Sequence, residues 1–111
     1  MISSMVAFQE KKGRVFQANY SGRRWDGHYN FSDLRNYLKA NSSGFGVERI
    51  VVFEDSLRKC SAVYKGARVI LRETASNGVN LRVSPVNGED VKLVFEELKA
   101  RLGGVVSEES S

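Results

Sequence analysis

Two short segments with a helical pattern indicate the fold of this chain: Leu34-Arg-Asn-Tyr-Leu-Lys-Ala40 and Val94-Phe-Glu-Glu-Leu-Lys-Ala100. In both, apolar residues recur three and four positions apart, the spacing that places them on one face of an α-helix. Each stretch follows segments in which apolar and polar residues alternate, as is typical of half-buried β-strands. The sequence therefore predicts an α+β fold: an antiparallel sheet of about six to seven strands, two helices packed on one face, and an order of strands then helix that occurs twice.

Both predicted helices carry signals at their ends. We place the first helix at about 33–40, with Ser32 as the N-cap because its hydroxyl can accept from a free backbone amide. The second follows Asn87 and ends at Gly103-Gly104, where glycine tolerates the left-handed backbone of a helix end. Its apolar stripe is the clearest helical pattern of the chain and consists of Val91, Val94, Phe95, Leu98 and Leu102.

The strands before each helix are predicted from alternation and turn signals. Residues 2–9 and 14–20 form the simplest hairpin, and 23–31 alternates with Trp25, Gly27, Tyr29 and Phe31 on one side. The run Ile50-Val51-Val52-Phe53 predicts a strand over 47–54 that is buried on both faces and therefore central in the sheet, and Asp55-Ser56-Leu57-Arg58 turns the chain back.

Asn77-Gly78 is a strong signal for a two-residue hairpin turn. Such a turn sets Arg72 opposite Val83 and Glu73 opposite Arg82, so that Glu73 and Arg82 form an ion pair across the strands. The same register places Arg72 on the apolar face of the hairpin together with Ile70, Leu81 and Val83.

Length and charge limit the class of protein. The 111 residues carry 17 Lys and Arg against 13 Asp and Glu, a net charge of +4. We expect one domain over 1–104 and a disordered acidic tail over 105–111; without Glu108 and Glu109 of that tail, the folded part carries 17 − 11 = +6. Such an excess attracts nucleic acid, acidic proteins or anionic membranes.

Targeting signals and cysteine use indicate the compartment. The chain has one cysteine, Cys60, no apolar run of about 20 residues, and no signal-peptide pattern at its start. We expect an intracellular protein, cytoplasmic or nuclear, without a membrane partner.

Arginine, lysine and aromatic residues supply the candidate binding site. Bases stack on aromatic rings while Arg and Lys bind phosphates, so Arg23, Arg24 and Trp25 suit nucleic acid. The alternative for Trp25 is packing in the core, which is the usual role of a large aromatic residue in a clean alternation. Basic turns elsewhere can form a cationic rim, or can simply keep hairpins soluble. The candidate nucleic-acid-binding residues are Lys11, Lys12, Arg14, Arg23, Arg24, Trp25, Tyr64, Lys65, Arg68 and Arg72.

Catalysis is not expected. The chain has one histidine and no phosphate-binding glycine loop, so neither a metal site, a nucleophile with its base, nor a cofactor site can be assembled from local motifs. The pair Asp26 and His28 is isolated, and Cys60 is predicted to be a buried small hydrophobic residue.

These observations predict a non-enzymatic domain that binds single-stranded or structured nucleic acid. The alternative is a protein-interaction or homodimerisation module that uses the open sheet face or an edge strand such as Ile2–Gln9. The order of strands and helices resembles that of single-stranded nucleic-acid binders of the PUR and Whirly type, whose sheets carry basic and aromatic residues. The first unit is one strand short of that plan and no family motif is matched, so no site residue is carried over.

Overall fold

The computed structural model describes residues 14–22, 29–74, 78–86, 90–102 and 105–110. In chain order these residues form β1 (Phe16–Ser21), α1 (Asn30–Asn41), β2 (Gly44–Val52), β3 (Asp55–Tyr64), β4 (Ala67–Glu73), β5 (Gly78–Pro85), α2 (Val91–Leu102) and β6 (Val105–Ser110). The strands make one antiparallel sheet in the order β2-β3-β4-β5-β1-β6, and both helices pack on one face of it. The predicted α+β architecture is confirmed.

The core lies between the helices and the sheet. All five apolar residues predicted for the stripe of α2 are buried, as are Leu34 and Leu38 of α1. The Phe95 ring of α2 stacks on the Phe16 ring of β1, with 5.3 Å between ring centroids. The sheet contributes alternate residues of its central strands: Ala18, Tyr20, Cys60, Ala62, Tyr64, Ala67, Val69, Leu71, Val79, Leu81 and Val83.

Helix α1 begins three residues earlier than predicted. Its N-cap is Tyr29, which makes no side-chain cap hydrogen bond, and Ser32 lies inside the helix. Two hydrogen bonds from Asn30 explain the early start. Its backbone N–H donates to the Gly22 carbonyl, and its side-chain amide donates to the Ser21 carbonyl at the end of β1. Phe31, predicted at a strand end, is instead buried in the first helical turn. Trp25 and Gly27 lie outside the described residues.

Strand β2 lies at the edge of the described sheet, so the prediction of a central strand buried on both faces was wrong. Most of its side chains are exposed, because the helices cover the middle of the sheet and reach β2 only near its start, where Phe45 packs against the core. The turn to β3 falls at Phe53-Glu54, with Phe53 in the left-handed region at φ 58°, whereas Asp55–Arg58 belong to β3. The apolar run of β2 therefore faces solvent.

The register of β4 and β5 also differs from the prediction. Arg72 lies opposite Asn80, and Glu73 lies opposite Val79. The connection is closed at Thr74 and Gly78: the Thr74 amide donates to the Gly78 carbonyl (2.8 Å), and the Gly78 amide donates to the Thr74 hydroxyl (2.9 Å). Residues 75–77 lie outside the described part.

The register differs by an odd number of positions, which reverses the face of each side chain relative to the partner strand. Arg72 and Ile70 consequently lie on the face opposite to Leu81 and Val83. The predicted ion pair between Glu73 and Arg82 was wrong, and the Glu73 carboxylate instead accepts from the Arg58 guanidinium at 3.1 and 3.3 Å.

Residues 105–110, expected to be a disordered tail, form β6 and pair with β1. Without β6, strand β1 would have no hydrogen-bonded neighbour on that side among the described strands. Two side-chain contacts add to the backbone pairing: Lys99 Nζ lies 2.8 Å from a Glu108 carboxylate oxygen, and Asn19 donates to the Ser107 hydroxyl at 3.0 Å. The acidic residues of β6 therefore belong to the fold. The net charge of +4 for the whole chain, and not +6, is the relevant value. The segment Ile2–Gln9 lies outside the described residues.

Candidate nucleic-acid interface

The sheet face opposite the helices, here called the open face, carries the candidate site. Because side chains alternate along a strand, the residues between the buried ones point to this side. They are mainly polar or cationic, in contrast to the apolar face under the helices. The central strands and β1 contribute Lys59, Ser61, Arg68, Ile70, Arg72, Asn80, Arg82, Ser84, Gln17 and Asn19.

Three arginines form a group at the centre of the open face. Arg68 lies opposite Ser84, Arg72 lies opposite Asn80, and Arg82 is opposite Ile70 between them. Arg82 is thus a diagonal neighbour of both, at about 7–8 Å between backbones. All three side chains are exposed, and none has an ion-pair or hydrogen-bond partner among the described residues. The three guanidinium groups therefore face solvent, and no carboxylate of the described chain balances their positive charge.

A lysine beside this group is already neutralised. Lys59 lies opposite Arg72 on the next strand, and its Nζ is 3.3 Å from a carboxylate oxygen of Glu48 on the edge strand β2. The positive charge is consequently concentrated on β4 and β5.

Amide side chains continue the open face across β5, β1 and β6. The Asn80 amide donates to the Asn19 side-chain oxygen at 2.9 Å and, more weakly, to the Gln17 oxygen at 3.4 Å. Asn19 in turn donates to the Ser107 hydroxyl at 3.0 Å. Each amide has two donor hydrogens and an acceptor oxygen with two lone pairs, so these bonds orient the groups and leave capacity for a ligand.

Tyr64, predicted to stack on bases, does not lie on the open face. It is buried under the helices at 3% exposure; its hydroxyl is 2.6 Å from the Tyr37 hydroxyl and donates to the Glu97 carboxylate. Burial, and then the hydrogen bonds to Glu97 and Tyr37, raise the pKa of Tyr64 well above its ordinary value. Among the described residues, the aromatic side chains of the strands all lie on the helix-facing side, at Phe16, Tyr20, Phe45 and Tyr64.

Lys65 and Arg14 also lie away from the arginine group. Lys65, in the turn after β3, binds the Glu97 carboxylate of α2 at 2.7 Å, and this hydrogen bond raises the pKa of Lys65. The Arg14 guanidinium lies 5.5 Å from the centre of the Phe16 ring, on the helix-facing side. The remaining predicted site residues, Lys11, Lys12, Arg23, Arg24 and Trp25, lie outside the described residues.

Of the predicted residues, the structure brings together Arg68 and Arg72, and it adds residues that the sequence reading missed. These are Arg82, Lys59 and the amides of Gln17, Asn19 and Asn80. The sequence does contain a signal for the residues of β5. Polar and apolar residues alternate in Asn80-Leu81-Arg82-Val83-Ser84, and the neighbouring strand β4, Arg68-Val69-Ile70-Leu71-Arg72, likewise has arginines between buried residues.

The described part of the chain contains no group of three or more His, Cys, Asp or Glu side chains that could hold a metal ion. Cys60 is buried, as predicted, and burial raises the pKa of its thiol to about 11, so little of the reactive thiolate forms. Asp26 and His28 lie outside the described residues. None of the described helices is both long and apolar enough to cross a membrane.

Comparison with protein families, curated proteins and solved structures gives no significant match to this chain. The likeness to the PUR and Whirly type therefore has no support beyond the order of elements, and the open face itself is the basis for assigning a function.

Proposed function

We propose that this protein binds nucleic acid through the open face of its sheet, with Arg68, Arg72 and Arg82 as phosphate ligands. The supporting observation is that these three guanidinium groups share one face without partners among the described residues. A guanidinium presents a planar fork of donors that matches two phosphate oxygens, and hydrogen bonds between charged groups are the strongest type in proteins. Paired strands hold the three side chains at fixed spacing, which lowers the entropic cost of binding.

The amides beside the arginines suit base edges. Asn and Gln pair with adenine through one donor and one acceptor, and Arg pairs with guanine through two donors. Asn80 and Arg82 lie two positions apart on β5, so phosphate and base contacts can be made from one strand. In this arrangement, the phosphate contacts position the ligand and the amide contacts select its sequence.

The described open face suits double-stranded or structured nucleic acid better than a single strand, because single strands are bound largely by stacking of their bases on aromatic rings. Base stacking needs exposed rings, and the described open face presents none. Contacts to phosphates and base edges are therefore better supported than stacking.

A charge-matched pair of variants tests this assignment. Arg72→Gln with Arg82→Gln removes two cations from the open face, whereas Lys39→Gln with Lys92→Gln removes two exposed cations from the helices. We expect the first variant to bind a labelled duplex about tenfold more weakly or worse in fluorescence anisotropy, and the second to bind nearly as the parent does. The slope of log affinity against log salt should become shallower by about 2 only in the first variant.

Two outcomes contradict the proposal. Equal weakening in both variants would show that overall charge, and not the open face, governs binding. The absence of binding by the parent to duplex and single-stranded oligonucleotides at low salt would exclude nucleic acid as the ligand.

A further inference from the structure

The hydrogen-bonded amides of the open face determine which polar atom Asn80 offers to a ligand. The Asn80 side-chain nitrogen donates to the Asn19 oxygen at 2.9 Å and to the Gln17 oxygen at 3.4 Å, so its two hydrogens are directed towards β1. The Asn80 oxygen is turned away from β1 and accepts no hydrogen bond from any described residue. Asn80 therefore faces a ligand as an acceptor.

The charges on either side of the amides favour this orientation. Gln17 lies opposite Arg82 of β5 on one side and opposite Glu109 of β6 on the other. Amide dipoles orient in the field of nearby charges, with the oxygen towards a cation and the NH2 group towards an anion. Asn19 is oriented in the same sense, because its oxygen accepts from β5 and its nitrogen donates to a hydroxyl on β6. The amide oxygens thus lie towards the arginines.

The location of Asn80 brings it within reach of a base whose phosphate is bound by an arginine. Asn80 lies opposite Arg72 and two positions from Arg82 on the same strand. On the other side of Arg72 stands Lys59, which is already paired with the Glu48 carboxylate at 3.3 Å. The polar groups that remain available to a base therefore lie on the β1 side of the arginines.

We propose that Asn80 makes the open face select unpaired bases that carry an exocyclic amine, as adenine and cytosine do, over uracil. This inference rests on the nucleic-acid function proposed above. An exocyclic amine projects from the ring and can donate to the Asn80 oxygen. The ring N–H of uracil lies between two carbonyl oxygens, which repel that acceptor. A site built to accept a hydrogen bond discriminates against a ligand that cannot donate one, because its own polar group is then left unpaired.

RNA hairpins with a stem of fixed sequence and a loop of one repeated nucleotide test this selection. We expect the parent to bind hairpins with adenosine or cytidine loops at least about fivefold more tightly than the hairpin with a uridine loop, as measured by fluorescence anisotropy. Replacing the loop adenosines by purine riboside, which lacks only the 6-amino group, should abolish the preference. The stem offers the same phosphates to the arginines in every hairpin.

Three variants assign the preference to Asn80. Asn80→Ala should bind all the hairpins about as weakly as the parent binds the uridine loop. Asn19→Ala keeps the Asn80 oxygen but removes the acceptor that orients it, so the preference should fall while the dependence of affinity on salt, which the arginines set, stays unchanged. The control is Ser84→Ala, on the same strand and face but outside the hydrogen-bonded amides, which should keep the full preference.

Three results would overturn the inference, and they separate it from the proposed function. Preference for the uridine loop would mean that Asn80 presents its NH2 group and not its oxygen. Equal binding of every loop, in a parent whose binding still depends on Arg72 and Arg82, would show that Asn80 selects no base while the function itself stands. If the parent binds none of the hairpins at low salt, the proposed function fails and the inference fails with it.

Discussion

Replacing Phe95 by alanine is expected to lower the free energy of unfolding by about 3–5 kcal/mol. The Phe95 ring is 2% exposed, lies at the centre of the α2 stripe, stacks on Phe16, and has the Lys99 ammonium group 4.8 Å from its centre. Truncation leaves a cavity between α2 and β1 where the Phe95 ring stacks on Phe16. The loss is a large share of the roughly 5–15 kcal/mol by which small domains are stable.

Leu93→Ala is the matched control for Phe95→Ala, because Leu93 lies on the same helix and is 66% exposed. We expect that substitution to change the free energy of unfolding by about 0.5 kcal/mol or less in urea denaturation followed by circular dichroism. Similar losses in both variants would contradict the assignment of α2 faces.

Replacing Glu97 by glutamine is expected to lower the free energy of unfolding at neutral pH by about 1–2 kcal/mol. The Glu97 carboxylate accepts hydrogen bonds from Lys65 and Tyr64 and links α2 to the end of β3. Hydrogen bonds to a charged group stabilise by about 1.5–3 kcal/mol. We expect a loss at or somewhat below the low end of that range, because the Glu97 side chain is 34% exposed and water screens its ion pair.

The effect of Glu97→Gln should depend on pH. Hydrogen bonds from Lys65 and then Tyr64 hold the pKa of Glu97 below its ordinary value of 4.5. The unfolded chain therefore binds this proton more readily than the folded chain, and the contribution to stability is complete above the unfolded pKa. It is lost as the pH falls through the folded pKa. The difference between parent and variant should accordingly shrink in acid.

Glu96→Gln is the control for this pH dependence. Its carboxylate is 52% exposed and pairs with Lys99 at 3.2 Å, so we expect a change of about 0.5 kcal/mol or less. The free energy of unfolding of the parent and of both variants is measured from pH 3 to 7. If the difference between the parent and Glu97→Gln stays constant over this range, the role assigned to Glu97 is contradicted.

The two helical faces were predictable because each repeats its pattern over several turns. In α2, all five predicted core positions are buried. Their helical spacing alone places them on one face, so the prediction needs no knowledge of tertiary contacts. The alternation of polar and apolar residues in β4 and β5 is equally visible in the sequence. Which residues of the two strands lie opposite each other is not. A hydrogen bond between Thr74 and Gly78 closes that hairpin differently from the Asn77-Gly78 turn, and this contact moved Arg72 to the open face.

The remaining differences arise from long-range pairing. The run Ile50-Val51-Val52-Phe53 has the composition of a buried strand, but its exposure depends on the position of β2 at the edge. Residues 105–110 have the composition of a tail, and they become a strand because β1 offers them a side to pair with. The sequence predicts Tyr64 as a base-stacking ring, because it does not reveal that Tyr37 and Glu97 hydrogen-bond the Tyr64 hydroxyl under the helices.

The location of β1 between β5 and β6 is expected to slow folding. Strands β2 to β5 are joined by short turns and form a meander from neighbouring residues, a process with little loop-closure entropy. Phe16, in contrast, pairs with Val83 on one side and with Ser110 on the other, so β1 joins the sheet only after most of the chain has been brought together. Such distant pairings slow folding, and the half-formed sheet exposes the β5 edge until β1 arrives.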